Sequence, residues 1–181
     1  MQVAIGNPLG NIIMRVTEKR RLDGICFMLN LIKLNYEDMI KNEFQIVNDL
    51  SKNSDAFSLS PIIKKPYTQN PPLFAYCEKL TPYIQKYIFE KSKFPITFLG
   101  GMKHQIMIIC RCCKDSRMTL LELPNLFLAS ENSVPENLCF YRNNIWHFAS
   151  ISHEHLAFMR DVSDQTLQFL CDNNIRYSIE N

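Results

Sequence analysis

Three features of the sequence predict an α+β fold. Apolar residues recur at helical spacing up to about residue 93. From Pro95 onward β-branched, aromatic and sulfur side chains crowd into short runs. Helices precede strands instead of alternating with them, which sets the pattern apart from a doubly wound sheet. The 181 residues, 46% of them hydrophobic, suffice for one substantial core and are short for two. A single domain over 1–181 is therefore expected, helical over about 22–93 and an antiparallel sheet over about 95–181.

The elements follow in order. Val3–Ile5 and Ile12–Val16 are short apolar pieces broken by Gly6, Pro8 and Gly10, the pattern of edge strands or an arm. Residues 22–34 are apolar on nearly every face until Lys33. Phe27, Leu31 and Leu34 share one face and Met28 and Ile32 another, which predicts a central helix from Gly24 to about Leu50. Ser, Asn, Lys and Pro make 51–70 a loop. Asn70-Pro71-Pro72 then opens a helix through Leu73, Tyr76 and Leu80, and Thr81-Pro82 supplies the cap and first position of another ending near Lys93. Strands are expected at Ile96–Leu99, Gln105–Cys113, Met118–Leu121 and Phe140–Ile151, with Lys114-Asp115-Ser116-Arg117 as the turn between the second and third. Ser163-Asp164-Gln165-Thr166 caps a last helix reaching about Cys171. Asn173-Asn174 stops it, and Ile175–Ile179 returns as a strand.

The chemistry starts from the thiols. Seven cysteines, an odd number at uneven spacing, point to a reducing compartment instead of a disulfide framework. Cys26 falls in the first turn of the predicted central helix, where backbone N–H donors and the helix dipole favour thiolate and lower the pKa from about 8.5. His104 opens a predicted strand just after Gly100-Gly101-Met102-Lys103, which leaves its imidazole at a sheet edge where it could face that helix terminus. A histidine so placed takes the thiol proton and later returns it to the leaving group. If 104–113 and 118–126 are hairpin partners, the stretch Glu122–Phe127 lies across from His104 and can orient its ring.

These segments resemble the papain-like effector proteases typified by the Yersinia outer protein T family. Gly24-Ile25-Cys26-Phe27-Met28-Leu29 is similar to that family's Gly-x-Cys-x-x-Leu nucleophile segment, and Gly101-Met102-Lys103-His104-Gln105-Ile106 to its Gly-His strand. Leu121-Glu122-Leu123-Pro124-Asn125 resembles the Asp-Pro-Asn after the family's next strand, with Leu123 where the family has its aspartate. The resemblance spans residues 22–128. It implies a papain-like fold and a thiol hydrolase, protease or glutamine deamidase, acting on a protein substrate. Cys26 would be nucleophile, His104 base, and Glu122 or Asn125 the orienting group. The short segment between Cys26 and His104 is closer to compact bacterial glutamine deamidases. The amide of Cys26 would contribute to an oxyanion hole. Arg20 stands six residues before Cys26 where papain-like enzymes carry a glutamine, which leaves the second donor unnamed. A bacterial effector or toxin delivered into another cell is the setting this implies.

Other classes find little support. A net charge of +2 without a long run of one sign argues against a nucleic-acid partner, and Lys19, Arg20 and Arg21 read as a solvated turn. No apolar run approaches the roughly 18 residues of a membrane span, and the N-terminus lacks signal-peptide order, so a soluble protein without integral membrane association is expected. Cys110, Cys112 and Cys113 lack a second ligand pair, and His147, His153 and His155 read as surface histidines. No metal and no cofactor are therefore expected. The rival reading is a non-catalytic protein-binding module, such as a toxin immunity protein, with Tyr67, Tyr76, Tyr141 and Trp146 as contact residues.

Overall fold

The computed structural model describes residues 29–60, 78–88, 107–123, 126–127 and 136–180. In chain order these form β1 (Leu29–Leu34), α1 (Tyr36–Lys41), α2 (Glu43–Lys52) and β2 (Ala56–Ser60), then β3 (Ile84–Ile88), β4 (Met107–Arg111) and α3 (Lys114–Leu121). They continue through β5 (Glu136–Arg142), β6 (Ile145–Ile151), β7 (Leu156–Val162), α4 (Asp164–Asp172) and β8 (Tyr177–Ile179). The eight strands form one antiparallel sheet in the order β3-β4-β2-β5-β6-β7-β1-β8. The class is α+β, with strands and helices interleaved along the chain. The expected division into a helical first part and a sheet second part does not hold, because β1, β2 and β3 all lie before residue 95.

One hydrophobic cluster joins alternate residues of the sheet to the helices. Ile32, Phe57, Leu59, Cys110, Phe140 and Phe148 meet Met39, Ile46 and Leu50 of α1 and α2, Leu120 of α3 and Leu170 of α4. The intervening residues Ser58, Met107, Cys139, Ala149 and Ile151 fall on the other face by strand alternation, and these are buried too. The central strands are thus covered on both sides.

The helix expected from Gly24 begins at Asn35 instead. Residues 29–34 form a strand whose partners are β7 and β8, with Leu31 opposite Arg160 and Lys33 opposite Ser178. A short, mostly apolar run suits a strand flanked on both edges, with Ile32 and Leu34 buried on one face and Leu31 and Lys33 half-exposed on the other, as well as it suits a buried helix. Asn35 marks the true start, its side chain accepting from the amide of Asp38 at 3.1 Å. The body of the helix that was to activate Cys26 is therefore a strand, while Cys26 itself lies outside the described residues.

Three further expectations are corrected. The loop 51–70 contains β2, which pairs with β4 and β5 at the middle of the sheet. The helix expected beyond Thr81-Pro82 is a single 3-10 turn, Thr81–Tyr83, leading into edge strand β3. The strand Met118–Leu121 is the end of α3, and Lys114–Arg117 is its first turn. The hairpin pairing 104–113 with 118–126 is accordingly replaced: β4 pairs with β2 and β3. The reason is local. Ser116 Oγ accepts from the amide of Cys113 at 2.9 Å and donates to Arg111 O at 2.7 Å, which closes a helical turn where a hairpin turn was expected.

Several elements match the sequence reading. Residues 78–80 are helical, the end of the helix expected through Leu80. Phe140–Ile151 is β-structure, split into β5 and β6 by Asn143 and Asn144, both at positive φ as a two-residue hairpin turn requires. Ser163 caps α4 by accepting from the amide of Thr166 at 3.2 Å, Asn173 ends it, and β8 follows. The segments 3–5, 12–16, 71–77 and 96–99 lie outside the described residues.

Candidate functional site

Of the four residues expected to form a triad, Cys26, His104 and Asn125 lie outside the described residues. Glu122 lies at the C-terminal end of α3, where it forms an ion pair with Lys79 at 3.1 Å. Both side chains are 62% exposed, so this carboxylate sits in solvent.

Among the described residues a polar constellation around a histidine forms elsewhere, where the last turn of α2, the β5–β6 turn and the start of β6 converge. Ser54 Oγ lies 2.8 Å from His147 Nε2 and 2.6 Å from the carbonyl of Leu50. Ser54 has one proton, and the carbonyl can only accept, so that proton goes to Leu50 and His147 donates from Nε2. Burial, and then the nearby Arg142 cation, hold the His147 imidazole down at about 4, so it is neutral at pH 7. An imidazole that already points its proton at the serine cannot remove the serine's own. The pair is a clamp between β6 and α2. Beside it Arg142 Nε donates to Asn53 O at 2.9 Å, and Asp55 Oδ2 accepts from the amide of Asn143 at 2.6 Å. His147 was expected at the surface; it is half-buried because β6 lays it against the end of α2.

A helix-terminal thiol does exist, at Cys113, the N-cap of α3. Its Sγ is 3.5 Å from Ser116 Oγ. The side-chain contact with Ser116, opposed by burial and seconded by the backbone amides of Ser116 and Asp115, leaves this thiol below its ordinary value. Its neighbour Cys112 is driven the other way by burial, to about 12. The sequence did contain this signal, since a polar residue three positions after a non-helical cysteine is the spacing of a reciprocal cap, but the sulfur runs on either side suggested a strand.

The remaining residues singled out from sequence serve the fold. Tyr141 was expected as a surface contact; burial lifts its phenol well above the ordinary range, and its hydroxyl lies 2.9 Å from Ser58 Oγ. Trp146 is half-buried with the Arg160 guanidinium 5.0 Å from the ring centroid. His155 stacks on Tyr36 at 5.1 Å, and Tyr36 donates its hydroxyl proton to the carbonyl of Phe127. His153 lies 3.7 Å from Glu154. Tyr67 and Tyr76 lie outside the described residues. Among the described residues no three His, Cys, Asp or Glu side chains converge as a metal site, and no helix is long and apolar enough to cross a membrane.

Comparison of the chain with family models, with curated proteins and with solved structures found no match.

Proposed function

We propose that this chain is a non-catalytic protein-binding module, and that a papain-like thiol hydrolase is the less supported of the two readings. The observation that carries the choice is where the chain joins the sheet. Because every adjacent pair is antiparallel, Leu29 joins β1 at one end of the sheet and Met107 joins β4 at the other. The two strands are five positions apart in the sheet order, about 24 Å along it at 4.8 Å per step. Cys26 and His104 each precede these strand starts by three residues, and three residues reach at most about 11 Å. A Cys26–His104 pair thus requires both segments to stretch toward each other from opposite ends. Of the two candidates for the third member, Glu122 is engaged by Lys79 in solvent, and Asn125 lies outside the described residues.

The binding reading draws on exposed apolar groups. Phe44 on α2 and Met118 on α3 are 59% and 51% exposed, and the two helices pack on each other. Large apolar side chains on neighbouring helices are what a protein partner buries.

The test is thiol mapping in the native state. Cys26 alkylation at mildly acidic pH should proceed at the same rate in the native chain and in His104→Ala. A fast Cys26 whose advantage disappears with His104→Ala would restore the hydrolase.

A further inference from the structure

Between α2 and α4 runs an open groove of about 490 Å³, within the roughly 300–1,000 Å³ of small-molecule sites. One wall comes from the last turns of α2, where Asn53 Nδ2 is 3.3 Å from Asp49 Oδ1. The other comes from α4, where Gln168 Nε2 donates to Asp172 Oδ1 at 2.7 Å. Each wall therefore carries a carboxylate that accepts from an amide four residues away along the chain. Arg142 joins the lining from the end of β5, steered by its bond to Asn53 O. Phe169 of α4 contributes a half-buried ring to the same groove.

We propose that this groove binds a neutral polyhydroxylated ligand, a saccharide of one or two rings. The lining dictates the class. A phosphate or carboxylate ligand would meet two carboxylates against one guanidinium, and an ammonium ligand would meet Arg142. A hydroxyl satisfies both, since it accepts from a guanidinium and donates to a carboxylate at once. The two carboxylates keep free acceptor oxygens beside their amide partners, which neighbouring hydroxyls on a ring can match. Phe169 offers an apolar surface to the C–H face of a sugar, and the exposed Gln165 amide and the Thr166 hydroxyl supply donors and acceptors that carry no charge. Burial raises the Asp49 pKa, in keeping with a carboxylate drawn partly out of water. This inference stands apart from the protein-binding reading, because it uses the C-terminal half of α2 and not Phe44.

The experiment is a titration followed by amide chemical shifts. Cellobiose, maltose, N,N′-diacetylchitobiose and mannose are each added to about 10 mM, with spermidine and inorganic phosphate as charged comparisons. At least one saccharide should shift amides of residues 49–53, 142 and 163–172, with an affinity that does not change as salt is raised about tenfold. Gln165→Ala, on an exposed side chain, should weaken that binding at least about fivefold, and Phe169→Ala more. The proposal is overturned if no saccharide shifts these amides, if the Gln165 variant binds as well as the native chain, or if spermidine or phosphate occupies the groove with salt-dependent affinity.

Discussion

Cys113 and Cys139 carry the same atom in opposite surroundings. Cys113 caps α3, where its contact with Ser116 and two backbone amides leave the thiol below its ordinary value. Cys139 lies in β5 on the sheet face away from the helices, 3% exposed, and burial pushes its thiol up to about 12 even though Ser58 acts in the other direction. The thiol at the start of α3 is held below its ordinary value, whereas the one inside the sheet is held above it. Activation of a thiol here depends on being first in a helix, and the strand assignment of 29–34 removes that circumstance from the residues after Cys26.

The largest expected effect is in thiol chemistry. Cys113 lies below its ordinary value and Cys139 is pushed up to about 12, so at neutral pH thiolate is far more populated at Cys113 than at Cys139. Peptide mapping after brief iodoacetamide treatment should find Cys113 modified early and Cys139 only on global unfolding. Equal rates would erase the contrast.

His147 tests the boundary between the two regions. Its folded pKa is about 4 against an ordinary 6.5, so the unfolded chain takes up the proton first. The stability it contributes is complete above pH 6.5, falls as the pH drops from 6.5 towards 4, and is level below that. Allowing for its partial exposure, the loss should be on the order of 2 kcal/mol. Denaturant melts across this window should show it in the native chain, and His147→Gln should flatten that slope.

A smaller effect separates capping from core packing. Cys113→Ala should cost about 1 kcal/mol through the lost cap, while Cys113→Ser should cost less or stabilise, since serine is the better capping residue. If both variants melt like the native chain, the Cys113 cap contributes nothing and its thiol is no better placed than any surface cysteine.

The smallest change is at Glu122. With its side chain and that of Lys79 both 62% exposed, Glu122→Gln should alter stability by less than about 1 kcal/mol. A drop of several kcal/mol would show that this carboxylate has a role its surface position does not explain.

How much of this was legible varied along the chain for physical reasons. The end was clear because its signals are local: Ser163 caps, Asn173 stops, and Asn143-Asn144 tolerates the positive φ of a tight hairpin. The first described strand was obscure because nothing within LNLIKL separates a mostly apolar strand from a buried helix, and the helical period of 36–52 extends naturally backward over it. The segment AFSLS was hidden by its serines, which satisfy the loop pattern although Ser58 and Ser60 are buried in the sheet. Met118–Leu121 was lost to composition, since the cap at Cys113 and Ser116 outweighs the strand preference of these four residues. In the candidate site, the reading of Cys26 and His104 with Glu122 or Asn125 rested on two of these misread elements. The groove combines Asp49, Arg142 and Phe169 from three distant segments, a juxtaposition no local pattern announces.

The place of β1 between β7 and β8 bears on how the protein is made. Ile32 and Leu34 gain their strand neighbours only when residues 156–179 exist, on the order of a hundred residues after they leave the ribosome. At ordinary synthesis rates this apolar strand waits for many seconds with both edges open, a template for pairing with another nascent chain. Completion of the sheet is thus a late, long-range closure. A chain halted before β7 would present β1 to whatever chaperone or neighbouring polypeptide arrives first.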